Sequence, residues 1–159
     1  MNSKLNQMTA HRDDEIEYVT VTVGEQLFGL PIARVHDVFL PARLTRVPLA
    51  RPEIAGVLNL RGRIVTMIDL RSRLGLPPLA NGAERMAVGV EFRGEAYGLL
   101  VDAVGEVIRP LRSRRDSNPT HLDPCWAAVA TGVHSLEDKL MVVLDIERLL
   151  EPPTHALAA

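Results

Sequence analysis

The chain carries two imperfect copies of one pattern, and this internal repeat restricts the possible folds more than any other feature. Residues 28–41 start with an aromatic residue, glycine and leucine, and they continue through a valine, an acid and a second valine to a proline. Residues 97–110 show the same residue types in register, about 70 residues later. Two further segments, 56–70 and 132–146, both begin with Gly-Val and both end with an aspartate followed by Leu or Ile. We therefore expect the same order of strands and turns in the two halves.

The residue types within each copy predict β-strands. Residues 18–23 alternate between valine and threonine or tyrosine, and a Gly-Glu turn signal follows them. Residues 86–92 are their counterpart, followed by an Arg-Gly pair. Many short strands separated by Gly and Pro turns are typical of a sandwich or of small barrels. We predict a mainly β fold of two five-stranded barrels related by a pseudo-twofold axis. Asp69 and Asp145 read as N-caps, which places a short helix after each barrel.

The limits of the folded domain follow from the composition of the two ends. Residues 1–16 are polar and show no period, so we expect disorder there. The tail 151–159 starts with Glu-Pro-Pro, and its prolines cannot continue a helix. Between them we expect a single domain over 17–150, with a first barrel at about 17–80 and a second at about 84–150. Each barrel alone is marginal in size, so the halves should bury apolar surface against each other and leave a groove where they meet.

One segment of the second half has no counterpart in the first. Residues 111–125 form an insert that we expect to be a polar loop, in which Arg112, Arg114 and Arg115 are clustered. The repeat explains neither this insert nor Trp126 beside it. An influence on the choice of partner is one hypothesis for this segment.

Composition and charge argue against several classes of function. The formal net charge is −2 and the isoelectric point is near 6.2, so the chain lacks the basic surplus of a typical nucleic-acid-binding protein. No apolar run is long enough to cross a bilayer, and the N-terminal residues lack the apolar core of a secretory signal. A single cysteine excludes an intramolecular disulfide. We therefore expect a cytoplasmic protein that neither binds nucleic acid nor inserts into a membrane.

Candidate catalytic residues are few. Cys125 lies close in sequence to His121 and Asp123, and a Cys/His nucleophile pair is conceivable there, but a polar loop with an idle cysteine is the more common case. Asp37 and Glu106 are equivalent in the repeat and could form a catalytic carboxylate pair, although the valines beside them favour a solvated strand face or an ion pair. The chain lacks the His and Cys spacings of common zinc sites. We predict no enzymatic activity, no metal and no cofactor.

The segment from Asn59 to Gly62 joins two apolar strands and reads as a tight hairpin turn. Gly62 can adopt the positive φ that such a turn requires. Arg61, at the tip, has two interpretations that the residues alone leave open. It is either a solvated charge, or it is held by Asp37 or offered to a partner's carboxylate, because guanidinium suits bidentate pairing.

Two stretches of the first half resemble the CheW family. Residues 21–38 are similar to its start, in which a strand, an acidic turn and an aromatic-Gly pair precede a valine, an acid and an apolar residue. The resemblance over residues 45–71 is more specific to the family. Ile-Ala-Gly-Val-Leu-Asn-Leu-Arg-Gly at 54–62 and Met-Ile-Asp-Leu-Arg at 67–71 resemble the family signature in residue type and spacing. The resemblance covers 17–150 and is weaker in the second half.

This resemblance implies a fold of two SH3-like barrels, and it also implies a function. Proteins of this kind are non-enzymatic scaffolds, or adaptors, of bacterial chemotaxis signal transduction. They couple the cytoplasmic tips of methyl-accepting chemoreceptors to the regulatory domain of the CheA histidine kinase, which is itself built like CheW. The implied location is the cytoplasm, at membrane-associated receptor arrays.

The resemblance also assigns roles to individual residues. Arg61 matches the family's coupling arginine, and Asp37 matches the acid of its valine-acid pattern, where the family usually has the longer glutamate. Two positions of the family's receptor-binding groove fall on Val35 and Gly56, with Asn59 beside them. The opposite wall of the groove is expected at their counterparts in the other half, Val101 and Val104.

Three other hypotheses stay open at this point. The chain could be a CheW-like regulator of another chemosensory pathway, such as pilus motility or development. It could be a small hydrolase that uses Cys125, or a stand-alone SH3-like module that binds a peptide or a small ligand. From its length we do not expect a kinase-fused or CheV-type protein.

Overall fold

The computed structural model describes residues 15–41, 43–80 and 83–151. The expected disorder of the N-terminus and most of the expected tail therefore concern residues outside this description. Residues 15 and 16 are ordered, since Glu15 forms a bridge with Leu111 and Ile16 N donates to Pro110 O at 3.1 Å. Within the described ranges, no helix has the length and apolar character needed to cross a membrane.

Eleven strands, three short α-helices and two 3-10 turns, Ile32–Arg34 and Arg112–Arg114, make up the regular structure of the described residues. In chain order the strands are β1 (Tyr18–Val23), β2 (Gln26–Pro31), β3 (Val35–Phe39), β4 (Ile54–Leu60), β5 (Arg63–Asp69), β6 (Met86–Phe92), β7 (Glu95–Val101), β8 (Ala103–Ile108), β9 (Arg115–Asp116), β10 (Ala130–Ser135) and β11 (Leu140–Leu144). The helices are α1 (Leu70–Arg73), α2 (Pro124–Ala127) and α3 (Ile146–Leu150).

The strands form two sheets, and each closes into a barrel. The first sheet has the order β8-β1-β2-β11-β10-β9, and the second has the order β3-β6-β7-β5-β4. Because β9 follows β8 along the chain and pairs with β10, the two edges of the first sheet are joined. Thr45 follows β3 and bridges Val57 of β4, which joins the edges of the second sheet in the same way. The prediction of a mainly β fold with two barrels is confirmed.

The strand orders also agree with the pseudo-twofold relation. The repeat equates β1 to β5 with β6, β7, β8, β10 and β11, respectively. Exchanging these counterparts converts the order of the second sheet into that of the first, apart from the two-residue strand β9. The repeat in the sequence is therefore a repeat in space.

The chain is divided between the barrels differently from our expectation. The first barrel combines β1 and β2 with β8 to β11, and the second combines β3 to β5 with β6 and β7. Barrels over 17–80 and 84–150 are therefore wrong, because each half gives its first hairpin to the other barrel. Each exchanged hairpin is joined to its barrel by one parallel pair of strands. These pairs are β2 with β11 and β7 with β5. Alternation along a strand predicts which face is buried but does not identify the strand it pairs with.

These parallel pairs explain why the aromatic-Gly-Leu element of the repeat contains a glycine. A Cβ built on Gly29 would lie 2.8 Å from Sδ of Met141, and one built on Gly98 would lie 2.6 Å from Sδ of Met67. In each barrel a methionine of the parallel neighbour covers the glycine. Any larger residue would have to displace this buried side chain.

One hydrophobic core joins the two barrels. Its largest cluster includes Phe28 and Leu30 of the first sheet and Val88 and Leu99 of the second, each with 2% exposure or less. The helices also contribute, for example through Leu70 of α1. Because both sheets pack into the same cluster, the halves depend on each other for burial.

The insert is more ordered than a polar loop. Its arginine cluster includes strand β9, in which Arg115 and Asp116 pair with β10. After it comes α2, which Asp123 caps by accepting a hydrogen bond from Cys125 N at 2.8 Å. Trp126 then packs edge-on against Phe28 with ring centroids 5.3 Å apart. The expectation of a polar loop is therefore wrong in part, because the insert adds strand β9 to one barrel and packs Leu122 against the core, next to Trp126.

The predicted helix starts are confirmed. The Asp69 carboxylate accepts hydrogen bonds from the backbone of Arg71 and Ser72, and the Asp145 carboxylate accepts them from Glu147 and Arg148. Each aspartate thus satisfies backbone donors that have no partner inside the helix.

Candidate functional site

A cleft of about 320 Å³ lies beside the hairpin of β4 and β5. We call it the Arg61 cleft, since Arg61 lines it together with Arg63. Asp37 of β3 lies on its wall together with Glu91 of β6, and Tyr97 of β7 closes another side. Both halves of the chain therefore build the cleft, because β6 and β7 belong to the exchanged hairpin.

The turn that carries Arg61 is tightly fixed. Leu60 pairs with Arg63, which leaves Arg61 and Gly62 as the two central residues of the hairpin. Their φ values are 53° and 83°, a pair of positive values typical of the type I′ turn. Asn59 Oδ1 accepts a hydrogen bond from Gly62 N at 2.9 Å. Asn59 therefore stabilises the turn, and this structural role stands beside the groove role that the resemblance implies.

Arg61 itself is exposed and has a backbone conformation that is uncommon for a residue with a side chain. Glycine or asparagine would adopt this conformation at lower free energy. Strained backbone of this kind occurs often at functional sites. The local geometry thus holds a guanidinium at the tip of a rigid turn.

Asp37 is half-buried and lies against the backbone of β6. It pairs with Gly89, and a Cβ built on Gly89 would collide with the Asp37 carboxylate. The glycine therefore makes room for the acid. Although Asp37 and Arg61 both line the cleft, no ion pair or hydrogen bond joins them within the described part of the chain. Their pairing is not a feature of this structure.

The cleft offers mixed charge over an apolar floor. Arg61 and Arg63 are its cations; His36 Nε2 lies 3.5 Å from Glu91 Oε2 on the other side. Tyr97 donates a hydrogen bond to Glu95 at 3.1 Å, and burial, followed by this hydrogen bond, raises the pKa of its hydroxyl. The apolar floor consists of Phe39, Leu60, Val65, Val90 and Ala96. Such a surface suits a protein partner with an apolar contact and a carboxylate.

The residues expected to line the receptor-binding groove differ in their exposure. Val35 and Val104 are partly exposed, and both pack against the main core cluster. Gly56 is buried with φ of 152°, and a Cβ on it would lie 2.6 Å from Thr45 O, so it supports the preceding loop and presents no side chain. Val101 has 0% exposure, so its expected place on a groove wall is wrong. It lies inside the core because its face of β7 packs into the cluster that both sheets share.

Sequence reasoning missed several residues of the Arg61 cleft, including His36, Glu91, Arg63 and Tyr97. Glu91 and Tyr97 belong to the second half of the chain, which we had assigned to the other barrel. Only knowledge of the hairpin exchange would have placed them beside Arg61. Arg63 could have been inferred, since a two-residue turn puts it directly across from Leu60.

The first barrel has a cleft at the equivalent place, and the residue at the tip of its turn carries the opposite charge. In the repeat, Leu136 corresponds to Leu60 and Glu137 to Arg61. Glu137, Asp138 and Lys139 line this second cleft together with Glu106, the counterpart of Asp37. The second cleft is therefore acidic, whereas the Arg61 cleft has two arginines and two acids, and the turn-tip residues Arg61 and Glu137 differ in sign.

The described residues offer little for catalysis. They contain no group of three or more metal-ligating side chains. Cys125 is exposed, and no hydrogen bond joins it to His121 in the described ranges.

Comparison with known proteins gives consistent matches over nearly the whole chain. A family model described as the CheW-like domain matches residues 17–153. Chemotaxis protein CheW of Klebsiella aerogenes is 27% identical over 141 residues, which cover 89% of this chain and 85% of that protein. Chemotaxis protein CheW of Bacillus subtilis is 27% identical over 144 residues, covering 91% and 92%. The crystal structure of the scaffolding protein TtCheW from Thermoanaerobacter tengcongensis matches with a TM-score of 0.77 at 31% identity, over 87% of this chain and 94% of that chain.

Proposed function

Because the chain belongs to the CheW-like domain family, whose members act as scaffolds in chemotaxis, we propose that it couples methyl-accepting chemoreceptors to a CheA-type histidine kinase. In this role it has no enzymatic activity and needs no cofactor. It works in the cytoplasm, at receptor arrays attached to the membrane. It contacts the cytoplasmic tip of the receptor on one side and the regulatory domain of the kinase on another.

The observation that carries this proposal is the position of Arg61. The arginine belongs to the Asn-Leu-Arg-Gly segment of the family and occupies a strained turn above a cleft with an apolar floor. A guanidinium held there at the expense of backbone strain is available for a carboxylate of the partner. We assign the Arg61 cleft, with Asp37 on its wall, to the kinase regulatory domain.

The second cleft supports a partner that is built like the chain itself. A homologous module would present a similar pair of surfaces, and the opposite charges of the two turn tips, Arg61 and Glu137, favour contact between unlike ends. The kinase regulatory domain is such a module by the resemblance described above. The receptor would then bind elsewhere, on the side of Val35 and Gly56.

Sedimentation with receptor-containing membranes tests this function. Purified kinase is incubated with the membranes with and without the chain, and the kinase in the pellet is measured. We expect kinase to sediment with the membranes only when the chain is present. Equal sedimentation without the chain, or failure of the chain to bind either protein, would contradict the proposal.

A further inference from the structure

The loop between β3 and β4 presents an exposed leucine in an unfavourable backbone conformation. Leu49 has φ of 62° and a relative exposure of 106%. A left-handed φ is uncommon for a bulky apolar residue, and asparagine or glycine would adopt it more readily. In this position the backbone of Leu49 is strained and its side chain buries no apolar surface, so neither stabilises the folded chain. A contact outside the molecule would explain why leucine occupies it.

The base of this loop is rigid, so Leu49 is held away from the barrel. Thr45 N donates to Val57 O and Val57 N donates to Thr45 O, both at 2.8 Å. On the other side, Asp69 N donates to Glu53 O at 2.8 Å. Gly56 lies directly beneath Thr45, as described above. The loop is therefore fixed at both ends and projects only between them.

The surface around Leu49 is apolar with a basic edge. Residues 46–52, 54 and 55 line a hollow of about 300 Å³, and Val47 among them is 42% exposed. Residues 38–52 contain three arginines and no acid, although the whole chain has a net charge of −2. Arg51 lies 3.0 Å from Glu53, whereas exposed Arg46 forms no ion pair with any described residue. Charge complementarity calls for an acidic partner with apolar side chains.

The position of the loop separates it from the Arg61 cleft. Strand β4 has seven residues and lies between the loop and the Arg61 turn. At about 3.3 Å per residue the two surfaces are roughly 20 Å apart. Two proteins can therefore occupy them at the same time, as a scaffold requires.

We propose that Arg46, Val47 and Leu49 form the contact for an acidic amphipathic helix on the cytoplasmic tip of the receptor. This inference rests on the proposed function, in which the receptor binds on the side of Gly56. Leu49 enters the apolar stripe of the helix, and Arg46 pairs with a carboxylate at its edge. Gly56 acts as a positioning residue, because it keeps the loop in place without touching the partner.

Binding measurements with three variants test the proposal. The probes are a purified cytoplasmic fragment of the receptor and the purified kinase regulatory domain. Leu49→Asn removes the apolar side chain but tolerates the positive φ, and Arg46→Glu reverses the charge. Val107→Asn is the control, since Val107 is also 42% exposed but belongs to β8 of the other barrel. Melting curves verify that each variant is folded.

We expect Leu49→Asn and Arg46→Glu each to raise the Kd for the receptor fragment about tenfold or more, as for a residue at the centre of an interface. Their Kd for the kinase domain, and both Kd values of Val107→Asn, should stay within about twofold of the wild type. Unchanged receptor binding by Leu49→Asn and Arg46→Glu would overturn the inference, as would an equal loss in Val107→Asn. If the wild-type chain does not bind the receptor fragment at all, the proposed function fails first, and this inference fails with it.

Discussion

Arg71 and Asp102 form a bidentate ion pair that ties helix α1 to the link between β7 and β8. Arg71 Nε donates to Asp102 Oδ1 at 2.9 Å, and Arg71 Nη2 donates to Oδ2 at 2.7 Å. Asp102 Oδ2 also accepts a hydrogen bond from Gly24 N at 2.7 Å, in the first turn of the chain. One carboxylate thus connects both barrels and a helix. These donors, with Arg71 first, hold the pKa of Asp102 below its ordinary value.

Removing this charge should destabilise the fold in a pH-dependent way. Asp102→Asn is expected to lower the free energy of unfolding at pH 7 by about 2–3 kcal/mol, less than for a fully buried pair because both side chains keep some contact with water. Since the folded pKa of Asp102 is depressed, its stabilisation is complete above the unfolded pKa of about 4 and is lost as the pH falls through the folded value. Urea unfolding of both proteins between pH 7 and pH 3 measures this. A difference that stays constant over the whole range would contradict the account.

His134 should make the protein less stable in mild acid. The side chain is 1% exposed beside Tyr18, and burial, followed by the charge of Arg115, lowers its pKa. The unfolded chain takes up a proton below about pH 6.5 while the folded chain resists it, so stability should fall as the pH drops from 7 to 5. Thermal unfolding of the wild type and of His134→Leu across this range measures the effect. The variant should show a smaller decline, and an equal decline would show that other groups are responsible.

Gly98 should not accept a larger residue while Met67 covers it. Gly98→Ala is expected to destabilise the protein by about 1–3 kcal/mol, because the new methyl group overlaps the methionine sulfur. Chemical denaturation gives this value. The double variant Gly98→Ala with Met67→Val should recover part of the loss, since the shorter side chain leaves room. If the double variant recovers no stability, the backbone of the paired strands β5 and β7, and not the Met67 side chain, limits the size of residue 98.

Trp126 should matter for stability and not for binding. Its Nε1 donates to Leu74 O at 2.9 Å, and its ring contacts Phe28. Trp126→Phe keeps most of the packing but leaves the carbonyl without this donor, at a cost of about 1 kcal/mol. Denaturant unfolding followed by circular dichroism measures the change. A loss of kinase or receptor binding in the folded variant would instead point to a functional role for the insert.

Local features of the fold could be predicted from the sequence. The repeat predicted the strand order within each half, and the aspartates at 69 and 145 marked the helix starts, because both depend on short-range physics. The exchange of hairpins could not be predicted in this way. It depends on which strands pair in parallel over long distances, and alternation carries no information about that.

In the candidate site, too, some features could be predicted from the sequence and others could not. The sequence left open whether Asp37 holds Arg61; both residues line one cleft, but no direct pairing joins them among the described contacts. Val101 was wrongly assigned to the groove, because the sequence of a strand does not distinguish an apolar residue that faces a groove from one that faces the core. Leu49 gave no signal in the sequence, since its significance arises only from its φ and its exposure.

A kinase activation assay with two matched arginine variants tests the central claim most directly. Arg61 and Arg93 both occupy the first position of an Arg-Gly hairpin turn, with φ of 53° and 51°, and both are exposed. Receptor-dependent autophosphorylation of the kinase is measured with the wild type, Arg61→Ala and Arg93→Ala, after melting curves show that all three are folded. We predict that Arg61→Ala abolishes activation while Arg93→Ala retains it. Normal activation by Arg61→Ala would contradict the assignment of the Arg61 cleft to the kinase.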